Sequence, residues 1–442
     1  MRMTIETRSS RLAAGAFACV LIFASATSAD ALCGDATGDG YLTATDALVT
    51  LTTAVGSSYD AKLDVAPDGA TDGRVTATDA LVMIEASVTA IVPRCAAADR
   101  RSAIVSAASC DFATGGLAEI GLDDLAVREH VIGAVEADAV VRVQDDRVFV
   151  VNRYSGSSVQ EIDPNDSLKT LWRCSVGAGS NPHDFVLLAP DKAYVTRYDA
   201  TTIAVVDPSV GKTCEGFVRG YIDLSPWADR DGIPEMDQMV RIGDRVFVAV
   251  QRLDRDDFFR PATNGALIVI DVATDAAVGA VELELTNPFT ETKGLLYDPA
   301  RGRILVGGPG TLFSNLDDGG IEAVDPESMT SLGVLLSGAD LGGDLGDFAI
   351  LGSRRGYAIV AAENFEASVI EFDLETGPTG APLVTSPLLL SDLEVTEDGR
   401  LWVVDRDCFD PGVRVFDVGG NDEITPQPIY PGLTPFTLDF IR

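Results

Sequence analysis

The chain has 442 residues, enough for two or three domains, and 68 acidic against 33 basic residues give it a formal charge of −35. This acidity argues against nucleic acid as a partner, because phosphate binding needs clustered lysine and arginine. A 46% share of apolar residues excludes a wholly disordered chain, and the two histidines, His130 and His183, leave little material for histidine catalysis or zinc binding.

Residues 1–31 have the pattern of a secretory signal peptide. Three arginines precede an apolar run at residues 12–26, and small residues follow it as far as Ala31. Cleavage is expected after Ala31, with Ala26 as the alternative. No later segment is long and apolar enough to span a bilayer. The mature chain is therefore expected to be secreted or extracellular, including at the cell surface, with the periplasm as the alternative. Its six remaining cysteines are an even number, which favours disulfides.

A segment then repeats itself after 33 residues, since residues 40–49 recur as residues 73–82. With the residues before it, the first copy forms a twelve-residue loop with oxygen donors at positions 1, 3, 5, 7 and 12. These donors are the side chains of Asp35, Thr37, Asp39 and Asp46 and the carbonyl of Tyr41. Calcium takes six to eight oxygen ligands, and Gly40 at position 6 permits the sharp turn that brings them together. The loop predicts a calcium site.

The second loop ends at Asp79 and has the carbonyl of Arg74 at position 7. Counting back from Asp79 puts Asp68 at position 1 but leaves position 3 without a side-chain ligand. A rival register uses Asp64 at position 1, with residues inserted before Asp72. The sequence leaves both registers open.

Residues 33–95 resemble the duplicated calcium-binding segment of type I dockerins, in which half an EF-hand is repeated. The resemblance implies a small α-helical, EF-hand-like domain with calcium as its cofactor and a cohesin-like partner. It also suggests a disulfide between Cys33 and Cys95 that holds the two ends together. Thr37 departs from the Asn or Asp usual in that family. A purely structural module stabilised by calcium is the alternative to docking, and residues 96–101 are expected to be a linker.

From residue 102 onward, short strand-like runs alternate with turn signals. A compact apolar motif recurs at steps of 44 to 58 residues, and a second strand ending in Asp usually follows it. The motif occurs at residues 103–105, 148–150, 193–195, 246–248, 304–306, 357–359 and 401–403. Four short strands per repeat of this length indicate a mainly β fold, a seven-bladed β-propeller over residues 102–442.

The ring is expected to close by sharing one blade between the two ends of this region. The first motif lacks a preceding strand, and residues 434–441 form an orphan strand that can supply it. Cys110 and Cys408 occupy matching places in the blades that meet at the closure, so we expect them to be bonded. Cys174 and Cys214 then pair between outer strands. Tyr194-Val195-Thr196-Arg197 and Asn181-Pro182-His183 give the repeats a resemblance to YVTN-type propellers.

Two sets of charged residues are expected to meet at one mouth of the channel. The acids that begin the innermost strands are Asp138, Asp184, Asp237, Asp347 and Asp392. The arginines near the ends of the second strands are Arg153, Arg197, Arg252 and Arg406. These sets form either a cation site or polar ligand funnel, or Asp–Arg pairs that fix the blades to each other.

Two further features bear on function. Long loops on that face carry Trp227 and Phe258, which either mark a binding surface or pack inward. His183 lies beside Asp184, and YVTN-like relatives include lactonases and lyases, so a propeller enzyme using His183 and the mouth acids is the alternative function. The main expectation is an exported, monomeric calcium-binding protein whose propeller binds an extracellular protein or a glycan, such as a polysaccharide.

Overall fold

The computed structural model describes residues 101–441 except Phe365 and Leu388, together with Leu48, Val65–Ala66 and Arg94–Cys95. The chain divides into two units, Met1–Arg100 and Arg101–Arg442. In the first, Val65–Ala66 pairs antiparallel with Arg94–Cys95. The signal segment, the ligands of both calcium loops and Cys33 lie outside the described residues, so their assignments stay predictions.

The second unit is a seven-bladed β-propeller, as predicted from the period. Each blade is an antiparallel sheet whose innermost strand lines a central channel. The second strand of each blade is buried on both faces, because the blades pack against each other face to face. In Arg147–Asn152, for example, the last five residues are all buried. The outer strand Lys169–Ser175 instead alternates between buried and exposed residues near its end, because only one face meets a neighbour.

Blades 1 to 4 each have four strands, which follow one another from the channel outward. Blade 1 consists of Thr434–Ile441, Ser102–Ala108, Gly115–Gly121 and Val127–Ile132. Blade 2 consists of Ala139–Gln144, Arg147–Asn152, Ser158–Asp163 and Lys169–Ser175. Blade 3 consists of Pro182–Ala189, Lys192–Arg197, Thr202–Val206 and Val218–Asp223. Blade 4 consists of Met236–Ile242, Arg245–Val250, Ala266–Asp271 and Ala276–Glu282. Within the loop between its second and third strands, Leu253–Asp254 pairs antiparallel with Arg260–Pro261.

Blades 5 to 7 follow the same plan with short additions. Blade 5 consists of Leu295–Asp298, Arg303–Gly308, Gly320–Asp325 and Thr330–Ser337. Blade 6 consists of Asp344–Leu351, Arg355–Ala361 and Ala367–Asp373, with an outer strand in two pieces, Gly377–Pro378 and Val384–Ser386. Blade 7 consists of Leu390–Val395, Arg400–Asp405, Gly412–Asp417 and Asp422–Glu423. Within residues 101–441 the helical elements are Gly338–Leu341 and the 3-10 turns Pro208–Val210, Ser225–Trp227 and Arg255–Asp257.

The ring closes as the sequence predicts. Thr434–Ile441 pairs with Ser102–Ala108, so both ends of the propeller region build blade 1 and the ring is closed. The structure also contains the expected Cys110–Cys408 bond across this joint and the Cys174–Cys214 bond between blades 2 and 3. In the described part of the chain, no helix has the length and apolar character needed to cross a membrane.

The hydrophobic core consists of seven layers, one at each interface between neighbouring blades. Between blades 2 and 3, the rings of Phe149 and Phe185 lie 4.3 Å apart. Between blades 7 and 1, Trp402 packs edge-on against Phe440. Because each blade buries both of its faces in this way, the positions of the channel and loops are set by the whole ring.

Candidate functional site

One face of the propeller, which we call the upper face, carries the loops between the second and third strands of every blade. The turns that lead into the innermost strands lie on the same face. Its loops are residues 109–114, 153–157, 198–201, 251–265, 309–319, 362–366 and 406–411. Any ligand of the channel mouth on this side meets these loops.

Three of the predicted mouth acids, Asp184, Asp347 and Asp392, lie deeper than expected, inside the channel wall. Each is at most 3% exposed. The strands begin two or three residues earlier than the sequence suggests, and a register shift, a β-bulge, precedes or includes each acid. A bulge changes the direction of a side chain. Here it turns each carboxylate toward the next blade.

These acids belong to a ring of hydrogen bonds that links every blade to the next. In four of the joints, a carboxylate of one innermost strand accepts a hydrogen bond from a backbone N–H of the following innermost strand. These are Asp184 with Met239 (2.7 Å), Asp347 with Leu393 (3.1 Å), Asp392 with Leu438 (2.6 Å) and Asp439 with Val143 (2.7 Å). Glutamines do the same from blades 2 and 4, where Gln144 accepts from Leu187 and Gln238 from Gly294. At the remaining joint the Thr292 hydroxyl donates to Asp347.

A buried arginine and a partly buried lysine complete the network across the channel. Arg142 Nε donates to Asp184 Oδ1 at 2.6 Å, and another of its nitrogens donates to the carbonyl of Thr292 on the far side at 2.7 Å. Lys293 contacts Glu394 and Asp439. Burial raises the pKa of Asp184 against the opposing effect of Arg142, and it raises the pKa of Glu394 to about 8. The network therefore spans the channel from blade 2 to the segment that leads into blade 5.

Asp347 and Asp392 share one hydroxyl proton. Thr292 Oγ1 lies 2.9 Å from Asp347 and 3.0 Å from Asp392, yet a hydroxyl donates only one hydrogen. Thr292 therefore holds the two carboxyl groups close together with a single donor for both. Burial raises the pKa of Asp347 to about 6, and burial and the neighbouring Asp347 charge raise the pKa of Asp392 well above its usual value. This acid pair stabilises the ring in its protonated form.

A cavity opens at each end of the channel. The lower cavity, of about 430 Å³, is lined by residues of the innermost strands, including Arg142, Lys293 and Asp439. The upper cavity, of about 530 Å³, opens on the upper face. Its side chains come from Phe112, Ala113, Glu136, Ala137, Asp138, Arg153, Tyr154, Ser155, Glu291, Arg406 and Phe436. A ligand of the upper face therefore has a concave site of ordinary size for a small molecule.

The two arginines of the upper cavity have different partners. Arg153 Nε donates to Asp138 at 3.0 Å, and another nitrogen lies 3.4 Å from Glu291 across the mouth. Arg406 instead lies between two aromatic rings, 4.3 Å from the centre of Phe436 and 4.9 Å from that of Phe112. Asp138 and Arg153 are thus brought together as a pair, whereas Arg406 is held by aromatic contacts.

The other predicted mouth residues are spread over blades 3 and 4. Arg197 donates to Thr202 and stacks on Tyr221, and Arg252 forms a two-point ion pair with Glu282. The half-buried Trp227 packs against the core between these blades, and its carbonyl accepts from Arg252. These arginines therefore do not pair with the channel acids, because each finds a nearer partner within its own blade.

His183 is packed into the wall beside Asp237. Its ring stacks on Tyr198 at 4.3 Å, and the side chain is 11% exposed. Its Nδ1 lies 3.3 Å from Asp237 Oδ1, within ion-pair distance but without hydrogen-bond geometry. Asp237 accepts a hydrogen bond from Gln251 through its other oxygen. His183 is not among the residues that line either channel cavity. Among the described residues, no three metal-binding side chains come together in a cluster able to hold an ion.

The upper face carries a set of exposed aromatic side chains, which we call the aromatic crown. Its members stand on the loops of five blades: Phe112, Tyr154, Phe258, Phe259, Phe313 and Phe409. Phe258 and Phe409 are 90% and 93% exposed. All except Phe409 have a positive φ, between 41° and 57°, which is unfavourable for a bulky side chain. The loops hold these rings outward at a cost in local strain.

Comparison with known proteins identifies the fold. No family model matches the sequence, and no curated protein matches it. Several solved structures match the chain.

A candidate 6-phosphogluconolactonase from Bacteroides fragilis matches at 13% identity and a TM-score of 0.53, over 78% of this chain and 99% of that one. A functionally unknown protein from Desulfotomaculum acetoxidans matches at 12% identity and a TM-score of 0.48, over 77% and 98%. Apo AztD from Citrobacter koseri matches at 12% identity and a TM-score of 0.45, over 77% and 98%. At 13% identity, the likeness to the Bacteroides protein shows the propeller fold alone.

Sequence reasoning missed two cations of the channel and most of the aromatic crown, of which it named Phe258. The cations Arg142 and Lys293 give no local signal, because their partners are distant in the sequence. The aromatic crown does have a signal, since an aromatic residue follows the second strand in every blade at nearly the propeller period. Reading the loops for their common residue type, rather than for their length, would have found it.

Proposed function

We propose that the chain is an exported calcium-binding protein whose propeller binds a glycan through the aromatic crown. The observation that carries the glycan assignment is the pairing of exposed rings with acids on one face. Asp111 precedes Phe112, Asp257 precedes Phe258, and Asp410 follows Phe409. An aromatic ring packs on the apolar C–H face of a sugar, and an adjacent carboxylate accepts hydrogen bonds from its hydroxyl groups.

This composition favours a glycan over a protein partner. The buried centre of a protein–protein interface is depleted in Asp and Glu, since carboxylates are costly to desolvate there. Here, acids stand directly beside the most exposed rings, Phe258 and Phe409. A sugar ring can satisfy both, because it offers hydroxyl donors and an apolar face within one residue.

The remaining parts of the proposal rest on the sequence, with support from the disulfides. Cys110–Cys408 and Cys174–Cys214 favour an oxidising compartment, which agrees with export. Calcium is assigned to the loops at residues 35–46 and 64–79. Packing of His183 against Tyr198 favours a structural role for this histidine over catalysis.

Binding of the full chain to an array of neutral and acidic oligosaccharides tests the proposal. We expect binding that falls at least tenfold in the double variant Phe258→Ser, Phe409→Ser. Both rings are almost fully exposed, so the fold is expected to remain intact. Leu332→Ser, which removes a 56% exposed apolar side chain from an outer strand, is the matched control and is expected to bind normally. A silent array, or equal binding by the double variant, would overturn the glycan assignment.

A further inference from the structure

Arg406 is a cation at the upper cavity without a carboxylate in direct contact. Its guanidinium lies against the rings of Phe112 and Phe436, and among the described residues no Asp or Glu oxygen lies within ion-pair distance of it. The neighbouring Arg153, by contrast, has Asp138 and Glu291. Burial lowers the pKa of Arg406, and the charge of Arg153 acts in the same direction, whereas the more distant charges of Glu291 and Asp138 oppose the shift. The position therefore favours the arrival of a negative charge.

The ring contacts leave the donors of Arg406 for a ligand. A cation–π contact uses the face of a guanidinium, whereas its five N–H donors lie in the plane at its edge. Arg406 lines the upper cavity, so its side chain can contact a molecule bound there. A planar guanidinium matches a carboxylate with two parallel hydrogen bonds.

A disulfide fixes this arrangement. Cys110 lies two residues before Phe112, and Cys408 lies two residues after Arg406. The Cys110–Cys408 bond therefore joins the loop that supplies one ring to the loop that supplies the cation. Preorganisation of this kind lowers the entropic cost of binding, because the donor is already oriented before the ligand arrives.

We propose that Arg406 binds the carboxylate of an acidic sugar, so that the glycan held by the upper face contains uronate residues. This inference rests on the proposed function and specifies its ligand class. The cavity of about 530 Å³ is large enough for a sugar residue or two. The exposed rings of Tyr154 and Phe112 border it, and Asp138 and Glu291 can accept hydrogen bonds from sugar hydroxyls.

The charge count favours a carboxylate over a phosphate. Within the described residues of the upper cavity, Arg153 is matched by two acids, and Arg406 is the cation without an acid partner. Asp138 and Glu291 already offset the charges of the two arginines, so a bound carboxylate adds one negative charge to the cavity. A phosphate dianion would add a second negative charge close to Asp138 and Glu291, where it would be repelled.

Titration calorimetry of the full chain with D-galacturonate, with D-galactose as the neutral counterpart, tests this inference. We expect Arg406→Gln to weaken galacturonate binding at least tenfold while galactose binding stays unchanged. Arg406→Lys keeps the charge but loses the planar donor pair, so we expect its galacturonate affinity to lie between those of wild type and Arg406→Gln. Arg354→Gln removes the same charge from a partly exposed residue of blade 6 and is the matched control, with no expected effect on galacturonate binding.

Each other outcome overturns the inference. Absence of galacturonate binding, or unchanged galacturonate binding by Arg406→Gln, removes the carboxylate subsite. An equal loss for galactose shows that Arg406 only supports the fold of the site. Competition by inorganic phosphate as strong as that by galacturonate shows a general anion site instead.

The crown variants separate this inference from the function on which it rests. If Phe258→Ser with Phe409→Ser abolishes binding of neutral glycans and Arg406→Gln affects nothing, the glycan function stands and the carboxylate subsite fails. If Arg406→Gln abolishes galacturonate binding and the crown variant has no effect on any glycan, the subsite stands and the crown proposal fails.

Discussion

Replacement of Asp184 by alanine should destabilise the propeller more than the loss of any surface acid. Asp184 is 3% exposed and accepts hydrogen bonds from the Arg142 side chain at 2.6 Å and from the Met239 backbone at 2.7 Å. Its removal leaves a buried guanidinium with one partner fewer and a buried N–H without an acceptor. Removing one member of a buried ion pair costs about 3–5 kcal/mol.

This free energy corresponds to a clear shift in the melting temperature. Unfolding entropies near 2.1 cal/mol/K per residue give roughly 0.7 kcal/mol/K for the propeller unit of about 340 residues. We therefore expect the unfolding midpoint to fall by about 4–7 °C, as measured by near-UV circular dichroism or calorimetry. Asp184→Asn keeps an oxygen acceptor for Met239, so its unfolding midpoint should fall by less.

A partly exposed acid on the surface supplies the control. Asp166 pairs with Lys169, whose side chain is 66% exposed, so Asp166→Ala should change stability by less than about 0.5 kcal/mol. If the unfolding midpoints of Asp184→Ala and Asp166→Ala differ by less than about 1 °C, the interblade hydrogen bond does not stabilise the ring. The channel acids would then not be structural links between the blades.

Three further predictions concern the acid pair, the disulfides and calcium. Because the pKa of Asp347 is raised to about 6 in the folded state, the folded protein holds a proton that the unfolded chain releases at lower pH. The free energy of unfolding should therefore fall by up to about 3 kcal/mol as pH rises from 4 to 7. Asp347→Asn should flatten this pH dependence in urea titrations, and an unchanged pH dependence would contradict the assignment. In the double variant Cys110→Ser, Cys408→Ser, the free energy of unfolding should fall by about 2–5 kcal/mol and galacturonate binding should weaken. Loss of the Cys174–Cys214 bond should lower stability without affecting binding. Equal effects of the two losses on binding would refute the role assigned to the Cys110–Cys408 bond. Asp39→Ala should weaken calcium binding in calorimetry of the full chain, and unchanged affinity would show that the first loop is wrongly assigned.

The architecture could be predicted from sequence because it repeats. Seven apolar motifs at a regular step identify the second strands, and the orphan strand Thr434–Ile441 identifies the closure. The disulfide between Cys110 and Cys408 followed from equivalent positions in two neighbouring blades. Each of these inferences needs only the period of the repeat and the topology of a closed ring, which are properties of the whole chain rather than of single contacts.

The channel could not be predicted in the same way. The β-bulges that turn Asp184, Asp347 and Asp392 toward the next blade shift the strands by one residue, which no alternation of residue types reveals. Arg142 meets the carbonyl of Thr292 across the ring, 150 residues away in the chain. Such contacts depend on the three-dimensional closure, so the sequence did not reveal that three of the acids expected at the mouth lie within the wall.

The upper cavity could be predicted from the sequence only in part. Arg406 was expected near the mouth because it follows a second strand, but its partners Phe112 and Phe436 come from blade 1, at the other end of the propeller sequence. The positive φ of Phe112 also departs from what a bulky residue prefers, so a strand or turn pattern does not predict the ring's direction.

Calorimetric titration of the full chain with D-galacturonate, in wild type and Arg406→Gln, tests the central claim most directly. We expect wild-type binding that falls at least tenfold in the variant, while D-galactose binding is the same in both. Wild-type protein that binds no galacturonate, or a variant that binds it as well as wild type, would contradict the claim that the upper face holds an acidic glycan.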